Sequence, residues 1–201
     1  MFNYEICLDL ETITDPRVVD DCPPDPATGG GFAPPVAHEI VCASALMVEY
    51  NWFEGTPNRF AVRSWSRQRH TEQEIIAAVE RILPATETVE KRLIGFNSRG
   101  FDIPVLFARS MATLCPVMPR IAAMRSLARR DERHLDLQEH VGANSGRTGT
   151  LTQACRYLSI PVKTSTHGSD VAALAAAGDW RAIERYCEED VVATWLLSRH
   201  V

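Results

Sequence analysis

Three β-strand segments follow one another closely in the first third of the chain, and they constrain its fold more than any other feature. Residues Tyr4–Leu10 alternate apolar and other side chains, which is typical of a strand with one buried face. Two further segments, Glu39–Tyr50 and Arg59–Ser66, have strand composition and are joined by a turn around residues 51–58. Strands this close in sequence favour an antiparallel meander.

A segment rich in proline, glycine and aspartate separates the first two of these strands. It covers residues 15–36 and includes two Pro-Pro pairs and a run of three glycines. This composition predicts a long loop, and loops of such length in compact domains are usually functional or disordered. Because the loop directly follows the first strand, we expect it to act as a lid or as a guide for the substrate.

Helical patterns dominate from residue 71 onward. Thr71 and Glu74 form a capping box in front of apolar residues at helical spacing. Short extended segments are expected at Leu93–Phe96 and Leu135–Leu137. Further helices are expected near residues 103–111, 120–130, 153–158, 169–177 and 180–199. Strands first and helices interleaved later predict one mixed α/β domain over residues 1–201.

Composition excludes several classes of protein. The six cysteines are scattered without a Cys-x-x-Cys pair, so no structural zinc site is expected. Their mostly apolar surroundings indicate buried thiols in a reducing compartment, which predicts a cytoplasmic location. We expect no membrane span, because no apolar run reaches roughly 18 residues. We also expect no secretory signal, because the first residues show no basic region followed by an apolar core. The net charge of −5 disfavours binding of long nucleic acid mainly by counterion release, but it suits an enzyme that holds a few nucleotides through metal ions.

Asp9 and Glu11 lie two residues apart on the first predicted strand. Successive side chains of a strand point to opposite faces, so these two carboxylates share a face and can reach one ion. They are expected at the carboxyl end of the strand, where α/β sheets place their sites. Taken alone, the pair also fits two exposed charges on a half-buried strand.

Asp102 opens a predicted helix after a strand and a short polar turn. The positive end of the helix dipole favours an ionised carboxylate at such a position. The alternative is that Asp102 merely caps the helix.

Tyr186 and Asp190 form a third element, since a spacing of four residues places them on one face of the last helix. That face also carries Ile183 and Val191, and a buried aspartate is costly unless it is paired or bound to a metal.

The order of these three elements resembles the exonuclease motifs of the DEDD superfamily in its tyrosine form, called DEDDy. The chain is similar to stand-alone bacterial exonucleases related to the proofreading domains of family B DNA polymerases. The matching motifs are Asp9-x-Glu11, Asn97-x-x-x-Phe101-Asp102 and Tyr186-x-x-x-Asp190. The histidine branch of the superfamily has histidine five residues before the last aspartate, where this chain has Arg185.

The resemblance implies a ribonuclease H-like fold, with a mixed five-stranded sheet whose first three strands are antiparallel and which is flanked by helices. It implies that Asp9, Glu11, Asp102 and Asp190 hold two divalent cations, Mg²⁺ or Mn²⁺, and that Tyr186 hydrogen-bonds the attacking water. Two such ions about 4 Å apart can activate the water, neutralise the phosphate and stabilise the departing oxygen. The expected reaction releases nucleoside 5′-monophosphates from the 3′ end of single-stranded DNA.

Further residues are candidates for contact with the nucleic acid, namely Thr12, Asn97, Phe101 and Lys163. Asn97 alternatively stabilises a tight turn, and Phe101 alternatively belongs to the core. His167 shares a predicted loop with Lys163 and is a second candidate for phosphate contact. Asp136 resembles an additional aspartate of related exonucleases and is expected to act behind the metal ligands.

Five arginines between residues 120 and 133 form a local basic cluster, offset by two carboxylates. They either follow the phosphates of a single strand or cover a solvated helix face. The members are Arg120, Arg125, Arg129, Arg130 and Arg133, with Asp131 and Glu132 between them. The neighbouring charges Glu188 and Glu189 on the last helix are expected to face solvent.

Two other functions are compatible with the same residues. An RNA-trimming 3′→5′ exonuclease would use the same metals, because recognition of the 2′-hydroxyl depends on contacts that the sequence does not reveal. A catalytically silent nucleic-acid-binding module would have no use for an inward-facing carboxylate cluster, which disfavours it.

Overall fold

A five-stranded mixed sheet organises the computed structural model, which describes residues 3–18, 33–51, 53–85, 90–116, 118–142, 149–162 and 168–201. The strands are β1 (Tyr4–Thr14), β2 (His38–Tyr50), β3 (Pro57–Ser66), β4 (Lys91–Gly95) and β5 (His134–Asp136). Their order in the sheet is β3-β2-β1-β4-β5. The β1–β2 and β2–β3 pairs are antiparallel, whereas β1–β4 and β4–β5 are parallel. The expected α/β fold with three antiparallel strands first is therefore confirmed.

Seven α-helices flank the sheet in the described part of the chain. They are α1 (Glu72–Ile82), α2 (Asp102–Ala112), α3 (Pro119–Ser126), α4 (Leu137–Val141), α5 (Leu151–Tyr157), α6 (Val171–Ala177) and α7 (Trp180–Ser198). The predicted capping box at Thr71 is present, with Glu74 as its partner. A second capping box, from Thr150 to Gln153, begins α5 and was not anticipated. No helix among the described residues has the length and apolar character needed to cross a membrane.

The alternation of side chains along β1 divides the core into two layers. Ile6, Leu8 and Leu10 pack with residues of α1, α2 and α3 on one face of the sheet. Cys7 packs on the other face with residues of α5 and α7, such as Val191. Burial of each large aliphatic side chain contributes roughly 1.5–3 kcal/mol, so both faces hold the sheet in place. Asp9 and Glu11 share the parity of Cys7 and therefore lie on the α7 side.

The first strand is longer than the sequence predicted. It continues to Thr14, so Asp9 and Glu11 lie within β1 and not at its carboxyl end. The parallel partner β4 pairs with β1 only as far as Cys7, which leaves that edge of β1 open beside Asp9 and Glu11. Pairing with β2 is irregular between Glu11 and Thr12, and such bulges often occur next to active sites.

Both ends of the predicted long loop are held by polar contacts. The backbone N–H of Asp15 donates to the carbonyl of Ala37 at 2.8 Å. Asp15 also accepts from the buried Arg109, whose guanidinium binds both carboxylate oxygens of Glu72 at 2.7 and 2.6 Å. Residues 35–37 form one turn of 3-10 helix, so the segment is not irregular throughout. Residues 19–32 lie outside the described part of the chain, and the role of this loop as a lid stays a prediction.

Candidate metal centre and nucleic-acid site

Asp9, Glu11 and Cys187 meet between β1 and α7. One ligand atom from each lies within 4.8 Å of the other two. The Cys187 thiol donates to the carbonyl of Asp9 at 3.4 Å and to its carboxylate at 3.5 Å. The thiol was not recognised as part of the site, although its position three residues before Asp190 on the same helix was the available signal.

Asp102 reaches the open edge of β1 from the first turn of α2. Its carboxylate accepts a hydrogen bond from the backbone N–H of Leu10 at 3.1 Å, and the residue is only 4% exposed. Phe101 occupies the position before the helix, so Asp102 is the first helical residue and does not cap it. The Asp102 carboxylate therefore accepts a backbone hydrogen bond from β1 at a position that β4 does not reach.

The turn between β4 and α2 is held by Asp136 at the end of β5. The carboxylate of Asp136 accepts backbone hydrogen bonds from Asn97 and Arg99, both at 2.8 Å, and from Gln138 at 3.1 Å. Gly95 permits the tight turn, because a Cβ there would lie 2.1 Å from the Ser98 Oγ. This arrangement agrees with the expectation that Asp136 acts behind the residues that face the site.

Tyr186 and Asp190 lie on α7 beside these carboxylates. Burial is the largest cause that raises the pKa of the Tyr186 hydroxyl, and the negative charges of Asp190, Glu11 and Asp9 raise it further. Burial raises the pKa of Asp190 to about 6, and the Tyr186 hydroxyl opposes this rise as a hydrogen-bond donor. The tyrosine is therefore protonated at neutral pH and serves as a hydrogen-bond donor rather than as a base.

Burial and neighbouring carboxylates both raise the pKa values of Asp9 and Glu11. Burial, followed by the charges of Glu11, Asp102 and Asp190, raises the pKa of Asp9 well above its usual value. Burial, followed by the charge of Asp190, also raises the pKa of Glu11 well above its usual value. Burial raises the pKa of Asp102 to about 7. Three separate elements of the fold thus bring the predicted residues close enough for their charges to interact.

No lysine, arginine or histidine in the described ranges forms an ion pair with any of these four carboxylates. A buried group of carboxylates is unstable without a compensating positive charge. Hard oxygen donors suit Mg²⁺ and Mn²⁺, whereas the Cys187 sulfur is a softer donor that such ions do not require. The residues present therefore fit divalent cations.

Thr12 and Phe101 surround a histidine at the margin of the site. The Thr12 hydroxyl lies 2.8 Å from His38 Nδ1, and the other ring nitrogen lies 3.0 Å from the carbonyl of Ala33. Burial lowers the pKa of His38, so the neutral ring donates to Ala33 and accepts from Thr12. Phe101 packs edge-on against the same ring at 4.9 Å and also contacts the core. His38, which the sequence did not single out, thereby links the long loop to the site.

Asn97 has a structural task in the turn. Its φ of 63° lies in the left-handed region, which asparagine tolerates better than most residues. Its carbonyl accepts hydrogen bonds from Gly100 and Phe101. Whether Asn97 also contacts the substrate stays a prediction. Lys163 and His167 lie outside the described residues, so their proposed phosphate contacts are untested.

Two expectations about surface charges change in the structure. Glu188 and Glu189 are half-buried rather than facing solvent, and Glu188 accepts a hydrogen bond from Ser64 of β3 at 2.6 Å.

In the arginine cluster, Arg129 binds Glu139 at 2.9 Å and Arg133 binds Asp131 at 2.7 Å. Arg120 bonds to main-chain carbonyls near the end of α1, and Arg125 stacks on Phe107. Most members of the cluster therefore have local structural contacts.

An open groove of about 550 Å³ leads away from Tyr186 and Asp190. Its walls come from α5, α7 and β3 and include apolar Val62 and Val162 together with Arg156. The groove is open to solvent and has both apolar and charged walls, so it can receive bases and phosphates near the carboxylates.

Comparison with solved structures shows the same fold in exonuclease I. A product-bound structure of exonuclease I has a TM-score of 0.53 and 11% identity, over 99% of this chain and 43% of that one. An ExoI/SSB-Ct complex has a TM-score of 0.50 and 12% identity, over 98% of this chain and 40% of that one. The chain thus spans less than half the length of these proteins. No curated protein matches it.

A protein-family model matches residues 30–200, which is most of the chain. The match includes Asp102, Tyr186 and Asp190 and begins after Asp9 and Glu11. Its description is a predicted 3′–5′ exonuclease related to the exonuclease domain of PolB. The chain therefore belongs to this family of predicted 3′–5′ exonucleases.

Proposed function

We propose that residues 1–201 form one exonuclease domain that removes nucleotides from the 3′ end of single-stranded DNA. The observation that carries the proposal is the close approach of Asp9 and Glu11 beside α7, where the charges of Asp102 and Asp190 act on both carboxylates. None of the four forms an ion pair with a basic residue that the structure describes. In this proposal the four carboxylates hold two divalent cations, Mg²⁺ or Mn²⁺, and the products are nucleoside 5′-monophosphates.

The protein groups around the cations have distinct tasks. When bound, the ions supply an activated water and charge neutralisation at the phosphate and at the departing 3′ oxygen. Asp9 and Glu11 are aligned by the pairing of β1, while Asp102 is oriented by the Leu10 N–H and the turn that Asp136 holds. Tyr186 keeps its proton because its pKa is raised, so its hydroxyl can orient the attacking water.

Burial of Glu11 and Asp102 supports a single-stranded substrate. Glu11 is 6% and Asp102 4% exposed, and the groove beside Tyr186 and Asp190 is lined by α5, α7 and β3. A single-stranded or frayed 3′ end can bring its terminal phosphodiester to such buried carboxylates, whereas the paired strand of an intact duplex hinders that approach. The cysteines that the structure describes are all free, and most are buried. Free thiols are typical of a reducing compartment, so they support the proposed cytoplasmic location.

The test compares 5′-labelled single-stranded DNA, duplex DNA and RNA of one sequence with Mg²⁺ or Mn²⁺. We expect single-stranded DNA to shorten from its 3′ end with release of 5′-monophosphates. Asp190→Asn should lower the rate by roughly 10²–10³-fold, as for the loss of one preorganised charged group. Glu139→Gln removes a carboxylate in α4, away from the cluster, and should retain the wild-type rate.

Each other outcome contradicts a specific part of the proposal. Wild-type rates for Asp190→Asn, or activity in excess chelator, would exclude the metal mechanism. Faster shortening of RNA than of DNA would replace the substrate by RNA. If no polymer is shortened while single strands still bind, the chain is a silent binding module.

A further inference from the structure

A second groove lies at the other end of the sheet, where β1 begins. It has a volume of about 460 Å³ and its floor includes Ile6 and Met47. Ile6 belongs to the face of the sheet that packs against α1, which is opposite to the face that carries Asp9 and Glu11. The groove is therefore separate from the carboxylate site.

Four basic side chains surround this groove. Arg59 and Arg63 come from β3, Arg81 from the last turn of α1, and Lys91 from β4, while Glu49 is the acidic residue on the wall. The three arginines are exposed, and Lys91 is partly exposed. In the described part of the chain no carboxylate forms an ion pair with any of the four. The groove is thus strongly basic in a protein whose net charge is −5.

Protection of an exposed sheet edge does not explain this convergence. Arg59 and Arg63 lie on the edge strand β3, and charged residues on edges do prevent aggregation. Arg81 and Lys91, however, come from elements that are not at that edge. The basic wall extends across β3, β2, β1 and β4, a width of about 14 Å for three strand spacings. A row of charges of this length fits several phosphates of one polymer.

An aromatic side chain accompanies the basic residues. Tyr4 lines the groove and is partly exposed, with its hydroxyl directed to Glu49 at 3.2 Å. Bases stack on exposed aromatic rings while basic residues bind the backbone, which is the general pattern of single-strand recognition.

We propose that this groove, lined by Arg59, Arg63, Arg81 and Lys91, binds the upstream part of the single-stranded nucleic acid whose 3′ end is hydrolysed. The inference rests on the proposed function. Tyr4 is five residues from Asp9 and seven from Glu11 along β1, or about 17–23 Å at 3.3 Å per residue. At about 3.4 Å per stacked nucleotide, the strand needs at least five to seven nucleotides to reach the groove. Its contribution is therefore confined to longer substrates.

The experiment measures shortening of a tetranucleotide and a 20-nucleotide DNA by wild type and by Arg59→Gln/Arg63→Gln. The preference for the longer substrate should fall about five- to tenfold in the variant, through KM and not kcat. The affinity of the variant for the 20-mer, measured in EDTA, should also fall about five- to tenfold. The slope of log affinity against log salt should become less steep by about 1.4, for two lost contacts to single-stranded phosphates. Equal thermal unfolding of the two proteins checks that these exposed substitutions leave the fold intact.

The matched control is Arg129→Gln/Arg130→Gln, which removes the same charge from the turn before β5. It should behave as wild type on both lengths. The inference is overturned if both double variants act alike, or if only the control loses the long substrate. It is also overturned if Arg59→Gln/Arg63→Gln loses binding of a labelled acidic peptide but not of the 20-mer, because the groove would then dock a protein. Binding of the 20-mer that depends on Arg59 and Arg63, without any hydrolysis, would contradict the proposed function and not the groove.

Discussion

Tyr186 shows at the scale of one residue how burial determines a chemical role. An exposed tyrosine has a pKa near roughly 10 and is already a weak base at neutral pH. Here burial, together with the negative charges of Asp190, Glu11 and Asp9, raises the pKa of Tyr186 further. Its hydroxyl is consequently available as a donor throughout the physiological pH range.

Tyr186→Phe removes that hydroxyl and little else. We expect kcat for single-stranded DNA to fall about 10²-fold, the lower range for loss of a group that positions a reacting water, while KM stays within twofold. Steady-state kinetics with Mg²⁺ at pH 7.5 measure both constants. Tyr157→Phe, in exposed α5, is the matched control. A Tyr186→Phe enzyme with an unchanged kcat would show that the hydroxyl does not assist the reaction.

At the scale of elements, the site depends on the junction of β4, α2 and β5. Asp102 belongs to α2, but its position is set by the turn in front of that helix. Asp136 of β5 accepts three backbone hydrogen bonds around this junction and is itself buried. A residue that contacts no substrate can thus control where a carboxylate of the site lies.

Asp136→Ala should lower both stability and activity. Removal of the carboxylate leaves three partly buried backbone N–H groups without an acceptor, which we expect to cost about 2–4 kcal/mol of unfolding free energy. Asp136→Asn keeps one oxygen acceptor and should fall between Ala and wild type. Urea unfolding and the hydrolysis rate below the transition measure the two effects. Glu139→Ala removes a nearby half-buried carboxylate that pairs with Arg129 and serves for comparison; an equal loss in that variant would refute the role of Asp136.

At the scale of the whole molecule, the carboxylate cluster couples stability to pH and to metal ions. Burial raises the pKa of Asp102 to about 7 and that of Asp190 to about 6. Both values exceed the roughly 3.9 of an unfolded aspartate. The folded state therefore binds more protons than the unfolded state between about pH 4 and pH 7. Over that window these groups lower the free energy of unfolding as pH rises.

Divalent cations should restore the free energy of unfolding that is lost as pH rises. At a concentration 100-fold above Kd, an ion that binds only the folded protein adds about 2.7 kcal/mol, or roughly 5–10 °C in Tm for a chain of this size. The increase over EDTA should be larger at pH 8 than at pH 5, as measured by thermal unfolding. Burial lowers the pKa of His134 to about 3, which has the opposite effect on the pH dependence. The informative comparison is therefore with Asp190→Asn, in which both the ion effect and the pH slope should shrink.

The sequence by itself determined most of the elements and the types of residue in the site, but not the short helix α4, whose first residue Leu137 was expected in an extended segment. Period-two alternation in β1 and the four-residue spacing on α7 are local properties of the chain, so they were sufficient to predict that Asp9 joins Glu11 and that Tyr186 joins Asp190. The three antiparallel strands and the capping box at Thr71 were predictable for the same reason. The extension of β1 to Thr14 was not, because its polar end is stabilised by pairing with β2 and not by its own pattern.

Only the tertiary structure decided which distant residues support the site. Cys187 and His38 act through hydrogen bonds to residues far away in sequence, and no local pattern encodes such partners. The family resemblance named Asp136, but the backbone groups that it binds were decided by the fold. The basic groove depends in the same way on the order of β3, β2, β1 and β4 in the sheet, which places Lys91 on the same groove as Arg59 and Arg63. Local periodicity specifies which way a side chain faces, whereas packing between elements specifies what it meets.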